Sequence, residues 1–273
     1  MVLTAEIFYI SLGVFLDKYE KFKKNIDNLI NIDLDYYKEK HMKRRITSLM
    51  NRNGYNDFDD YFLALKFNEK LLNQFINYLT INVSEFYRNP NQWEVLKKNI
   101  LPDIITNSKR RSINIWSAAC STGEEPYSLV MLLTKFYNIE DIKVLATDID
   151  EEAMNKAKIG LYSEKSLDNL PLEFKKNYFD KVESSYRIKD KIKNRVEFKK
   201  IDLLKDNFPT NMDLITCRNV MIYFTDDAKN LLYKKFHNSL NEKGIFFVGS
   251  TEQIILPERY NFESVRTFFY RKI

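Results

Sequence analysis

The side chains best suited to chemistry lie in four short stretches, and three of these begin where an apolar run stops. Ile113-Asn114-Ile115-Trp116 runs into Ser117-Ala118-Ala119-Cys120-Ser121-Thr122-Gly123. Small side chains there let backbone approach a ligand closely. Glu124 and Glu125 open the helical pattern behind that loop, with Thr122 as its expected cap and Pro126 in its first turn. The loop has no G-x-G-x-x-G pattern. Two carboxylates at a helix start repel a pyrophosphate, which would otherwise seat there. A phosphate-free cation meets no such conflict, and S-adenosylmethionine, with its sulfonium and ammonium groups, fits. The next apolar run, Lys143 to Thr147, ends at Asp148. That acid can accept hydrogen bonds from ribose hydroxyls, or it can cap the following helix together with Asp150.

The third run, Asp213 to Cys217, leads into Arg218-Asn219-Val220-Met221-Ile222-Tyr223-Phe224. Asparagine there offers a ligand both a donor and an acceptor; the alternative is a polar loop that satisfies its own backbone. The fourth stretch is Asn82-Val83-Ser84-Glu85-Phe86-Tyr87-Arg88-Asn89-Pro90. It sits where the pattern of the chain changes, and it reads either as a ligand site between domains or as a linker with a salt-bridged arginine.

The elements that must position these stretches follow from periodicity. Residues 1–80 read as helices throughout. Ile7, Ile10, Val14, Leu16, Phe22 and Ile26 fall at helical spacing, as do Tyr37, Met42, Ile46, Leu49 and Met50. Asn53-Gly54 is a helix stop, Asp57 caps a short helix, and Leu71 to Thr80 forms another. From Ser112 onward strands alternate with helices, which predicts βαβ units and a mostly parallel sheet covered on both faces. Phe262 to Tyr270 reads as a closing hairpin. One charged segment breaks the alternation. Tyr186-Arg187-Ile188-Lys189 and Arg195-Val196-Glu197-Phe198 look like half-exposed strands of a β-subdomain inserted at about 163–200.

Composition narrows the field. With 273 residues, 44% hydrophobic and 30% charged, the chain can bury a core and is not a disordered polymer. Two cysteines exclude a disulfide scaffold and fit a reducing cytoplasm. Two histidines leave little material for a zinc site, and no metal centre is expected. No run of ~20 apolar residues is present, so no membrane insertion is expected. Met1 to Phe15 lacks the basic start of a signal peptide. The net charge of +5 is spread along the chain, without the concentrated basic stripe or aromatic platform of a nucleic-acid binder.

Taken together, Asn82 to Arg88, Trp116 to Ser128, Ala146-Thr147-Asp148-Ile149-Asp150 and Cys217 to Phe224 closely resemble the CheR family, the chemotaxis receptor protein-glutamate O-methyltransferases. The likeness runs from Ile32-Asp33-Leu34 through Gly249-Ser250-Thr251-Glu252. It implies a small all-helical receptor-recognition domain over 1–80. A Rossmann-like methyltransferase domain of α/β class would follow over 81–273, carrying the β-subdomain. It also implies S-adenosylmethionine as cofactor, with contacts from Asn82, Ser84, Arg88, Glu125, Asp148, Asp202, Leu203, Asn219 and Val220. Asp202 stands where the family often has asparagine, which keeps an acceptor and loses a donor. Ser84 replaces a threonine, and Cys120 an alanine.

The implied reaction methylates glutamate carboxylates on the cytoplasmic helices of receptors. Such a carboxylate, with an ordinary pKa of ~4.3, is already ionised and needs no base. Arg88 and Tyr223 are expected to steer it. Lys38, Lys40, Lys43, Arg44 and Arg45 are expected to dock the acidic flank of the receptor helices; a solvated helix face is the plainer reading. Relatives that add a receptor's C-terminal pentapeptide to the β-subdomain carry glycines in the relevant loop. Asp180 to Arg195 has none, so no such tether is expected. The main rival is a non-catalytic receptor-binding adaptor that keeps the fold.

Overall fold

The computed structural model describes residues 18–80, 82–108 and 112–273. They fall into two compact units: one holds residues 18–80 with Tyr223–Ala228, the other Asn82–Ile222 with Lys229–Ile273. The helical periodicity at Ile7, Ile10, Val14 and Leu16 lies outside the described residues.

The first unit is helical. Helix α1 covers residues 18–30, followed by α2 (Glu39–Arg52), α3 (Phe58–Phe67) and α4 (Glu69–Thr80). On α2 the buried side chains are Met42, Ile46, Leu49 and Met50, one apolar stripe at helical spacing. Asn53 ends α2, and Gly54 takes the left-handed φ of 84° that the turn requires. Asp57 caps α3 by accepting from Asp59 N at 2.8 Å. The core is aromatic. Phe22 meets Phe58 at 5.1 Å between ring centroids and Phe75 edge-on at 6.0 Å. Tyr223–Ala228 completes the unit. Lys38 N donates to the Tyr223 carbonyl and Thr225 N to that of Tyr36, both at 2.9 Å. The Tyr37 and Phe224 rings meet at 5.0 Å.

The second unit is α/β. Its seven-stranded sheet has the order β6 (Val196–Lys200), β2 (Val144–Asp148), β1 (Ile115–Ala118), β7 (Met212–Cys217), β8 (Leu240–Val248), β10 (Phe269–Lys272), β9 (Phe262–Arg266). The strands from β6 to β8 run parallel, and β10 lies antiparallel between β8 and β9. Helices α5 (Pro90–Val95) and α6 (Leu101–Ser108) are joined by a π turn at Leu96–Ile100. Helices α7 (Glu124–Leu133), α8 (Glu151–Ile159) and α11 (Asp226–Ser239) connect the strands. The core holds Trp93, Ile115, Leu129, Leu132, Val144, Leu214 and Phe247 among others.

A separate sheet, ordered β3-β5-β4, forms from β3 (Leu161–Ser163), β5 (Ser185–Ile188) and β4 (Phe179–Val182). Two short helices, α9 (Leu172–Tyr178) and α10 (Asp190–Lys193), accompany it.

Three sequence expectations are corrected. Arg195-Val196-Glu197-Phe198 does not belong to the insertion: Val196–Lys200 pairs in parallel with β2. As the outermost strand of the main sheet it is half exposed, so its charges mimic those of a small hairpin. The first strand lies two residues later than the apolar run: Ile113 is buried without joining the ladder, whereas Ser117 and Ala118 do join it. Thr122 does not cap α7. The cap position is Gly123, at φ 92°, where an added Cβ would stand 2.7 Å from the Ala157 Cβ. Among the described residues, no helix is long and apolar enough to cross a membrane, and no group of acidic, Cys or His side chains could hold a metal ion.

Candidate active site

In a parallel sheet the ligand crevice lies beyond the carboxyl ends of the strands, where neighbouring connections leave in opposite directions. Here β1 is flanked by β2 and β7, so the loops after these three strands converge. Asp148 ends β2 and is 7% exposed. Its Oδ2 accepts from Ser121 N at 2.7 Å and its Oδ1 from Asp150 N at 2.9 Å. Burial nevertheless pushes its carboxyl up to about 6. Capping falls to Asp150, which accepts from Ala153 N at 3.0 Å. Asp148 is therefore anchored on two loops and does not cap the helix.

Asn82 joins the same cluster. Its Nδ2 donates to Asp150 Oδ2 at 2.6 Å, and its Oδ1 accepts from Ser121 Oγ at 2.9 Å. Ser121 and Ala119 both hold left-handed backbone, at φ 48° and 63°. Such strain gathers where the surroundings fix a functional geometry.

The two acids at the start of α7 have different surroundings. Glu124 is 4% exposed, and burial raises its carboxyl; it accepts from the hydroxyls of Thr122, at 2.7 Å, and Ser84. Glu125 Oε1 accepts from Ser117 Oγ at 2.8 Å and Thr216 Oγ1 at 2.5 Å. Its Oε2 faces Arg218 Nη1 at 3.3 Å. Arg218 is buried, and its Nη2 reaches the Arg88 carbonyl at 2.7 Å and Gln92 Oε1 at 2.8 Å. Arg218 thus ties the end of β7 to the backbone that carries Arg88. The Arg88 guanidinium, half buried, donates to the Val83 carbonyl at 3.1 Å.

Asn219 takes left-handed backbone at φ 61°, and its N–H donates to Glu252 Oε2 at 2.6 Å. Val220 follows, half buried. After β6, Asp202 Oδ1 accepts from Leu204 N at 2.8 Å, and burial raises its carboxyl. Lys235 Nζ holds the Leu203 carbonyl at 2.6 Å. Tyr223 ends the turn Met221–Tyr223 and groups with the helical unit. Cys120 and Cys217 are buried free thiols.

The second unit therefore holds its site residues in local hydrogen-bonded groups: Asn82 and Asp148 through Ser121, Ser84 on Glu124, Glu125 and the Arg88 backbone through Arg218, and Asn219 on Glu252. Sequence reasoning gave no site role to Arg218, Glu252, Ser117 or Thr216. A glycine at the carboxyl end of β8, Gly249, was the available signal for Glu252, whose carboxylate occupies the space a Cβ would need. The donor set is acidic: Asp148, Asp150, Glu124, Glu125 and Glu252 stand against two arginines, of which Arg218 is paired with Glu125. Such a set fits a ligand that is cationic and rich in hydroxyls, and it opposes a pyrophosphate.

Residues 82–269 match the family described as "CheR methyltransferase, SAM binding domain", and residues 17–80 match "CheR methyltransferase, all-alpha domain". The chain is 39% identical over 254 residues to a chemotaxis protein methyltransferase of Listeria monocytogenes, covering 93% of this chain and 97% of that one. It is 32% identical over 277 residues to a chemotaxis protein methyltransferase of Borreliella burgdorferi, covering 97% of each. Among solved structures, a TehB-like SAM-dependent methyltransferase of Corynebacterium glutamicum gives a TM-score of 0.38 at 16% identity, covering 67% of this chain and 94% of that one.

Proposed function

The chain belongs to the CheR methyltransferase family, and from that premise we propose that it converts glutamate side chains of chemotaxis receptors to methyl esters. The observation that carries this reading is the buried, doubly anchored Asp148 within an acidic strand-end cluster. A carboxylate so fixed is ready to accept from the ribose hydroxyls of a cationic donor.

When bound, S-adenosylmethionine supplies a methyl group on a positively charged sulfur. Asp148 would hold its ribose. Asp202, Leu203, Asn219 and Val220 would line its adenine side. Asn82, Ser84, Arg88 and Glu125 would complete its seat. The chain need not provide a base, because the glutamate acceptor is already ionised near neutral pH. Its task is alignment, worth ~7–11 kcal/mol of barrier in favourable systems. Arg88 suits that task, since a guanidinium has five donors and, among the described residues, one is engaged, with the Val83 carbonyl. Tyr223, at the end of the turn after β7, is the second residue assigned to the incoming carboxylate.

The receptor would dock on α2. Lys40, Lys43 and Arg44, with Thr47, Ser48 and Asn51, line an open groove of about 580 Å³. Arg45 is turned inward: it hydrogen-bonds the Tyr78 carbonyl, and its guanidinium lies 4.6 Å from the Tyr78 ring. The fold therefore uses Arg45, and docking falls to its exposed neighbours. The β4–β5 turn has Glu183 at φ 53° and no glycine, in keeping with an enzyme that takes no C-terminal pentapeptide.

The test is incubation with methyl-tritiated cofactor and receptor cytoplasmic fragments. Base-labile label on the fragments is expected. Base-stable label would move the reaction to another acceptor, and binding of S-adenosylhomocysteine with no transfer to any fragment would favour the adaptor.

A further inference from the structure

The motif Gly249-Ser250-Thr251-Glu252 has no part in the function proposed above, yet it holds the most heavily engaged buried acid of the strand ends. Glu252 is 5% exposed. Its Oε2 accepts from Asn219 N at 2.6 Å and Gly249 N at 2.9 Å, and its Oε1 from Ile222 N at 3.2 Å. One carboxylate thus gathers three backbone donors from two loops, those after β7 and β8. Burying an ionised carboxylate is costly unless several donors meet it, and here they do.

The same geometry explains Gly249. A Cβ there would run into Glu252 Oε2 and stand 2.9 Å from Asn219 N and 3.1 Å from Asn219 Nδ2. Asn219 is therefore fixed in three ways: its N–H is held by Glu252, its backbone is left-handed, and its side-chain amide occupies space that a larger residue at 249 would fill.

We infer that Glu252 is a positioning residue for the methyl donor, setting the angle at which Asn219 and Val220 meet it, while Gly249 leaves the room that this requires. This rests on the reading of Asn219 as a cofactor contact, and the experiment separates the two.

Calorimetric titration with S-adenosylhomocysteine would compare the wild-type protein, Glu252→Gln, Asn219→Ala and the double variant. Glutamine keeps the shape but replaces one acceptor with a donor that opposes the backbone N–H groups. Each single change is expected to weaken binding about tenfold, the effect of losing roughly one good hydrogen bond. The double variant should be little worse than the weaker single, because Glu252 acts through Asn219. In methylation assays the KM for the donor should rise more than kcat falls.

Wild-type affinity in Glu252→Gln beside a weakened Asn219→Ala would overturn the inference alone, as would additive losses. Wild-type affinity in Asn219→Ala would overturn the contact it rests on. If Glu252→Gln does not fold, Glu252→Asp replaces it, keeping the charge and shortening the reach. A loss of about threefold or more supports the inference there, and unchanged affinity refutes it.

Discussion

The strand ends of the α/β unit and the outer face of α2 solve opposite electrostatic problems. At the strand ends, Asp148, Glu124 and Glu252 are buried, and their oxygens are already engaged by backbone or hydroxyl donors. On α2, Lys40 and Arg44 are exposed and Lys43 is half exposed. A buried, anchored charge has one geometry and little screening, so it can discriminate a small ligand atom by atom. Exposed charges are mobile and screened within about 10 Å at 0.1 M salt, so they steer a large partner without fixing its pose. Chemical selectivity should therefore reside in the first region and encounter with the receptor in the second.

The sharpest way to break that division is Asp148→Ala. Losing a charged acceptor of two ribose hydroxyls, at about 1.5 kcal/mol or more each, should weaken S-adenosylhomocysteine about 100-fold in calorimetry. A loss below about fivefold would mean that the buried acid serves the loops alone. Next, single-turnover methylation at saturating cofactor should slow about 30-fold in Arg88→Ala and less in Tyr223→Phe. Wild-type rates in both would remove them from the reaction.

Charge reversal at Lys43 and Arg44 should lower kcat/KM for receptor about tenfold at low ionic strength, with the deficit shrinking as salt is added. Cofactor affinity should stay at the wild-type value; a change there would collapse the distinction between the two regions.

The smallest effect is with pH. The Asp148 carboxyl sits near 6 in the free protein because it is buried. Binding needs its ionised form, so affinity should fall as pH falls through 6, about fourfold between pH 7 and 5.5. Asp148→Asn should flatten that dependence.

The α/β alternation and the loops that carry chemistry were legible because each apolar run ended in a polar cluster. The register of β6 was not, because a half-exposed edge strand has the same local pattern whether it pairs with β2 or with a small inserted sheet. The family likeness and the charge argument brought Asn82, Asp148 and Asn219 forward. Arg218 and Glu252 escaped because their roles depend on partners far along the chain: Glu125 and the Arg88 carbonyl for one, the Asn219 N–H for the other. Thr122 misled because a threonine before a helix usually caps it, whereas its hydroxyl here goes to the Glu124 carboxylate.

One detail of chain path bears on modularity. The helical unit includes Tyr223–Ala228, contributed from between β7 and the body of α11. A single cut near residue 80 therefore cannot excise the complete helical unit, since the Tyr37 ring would lose its Phe224 neighbour. Chimeras that exchange receptor specificity between relatives would have to graft that hexapeptide along with the N-terminal helices.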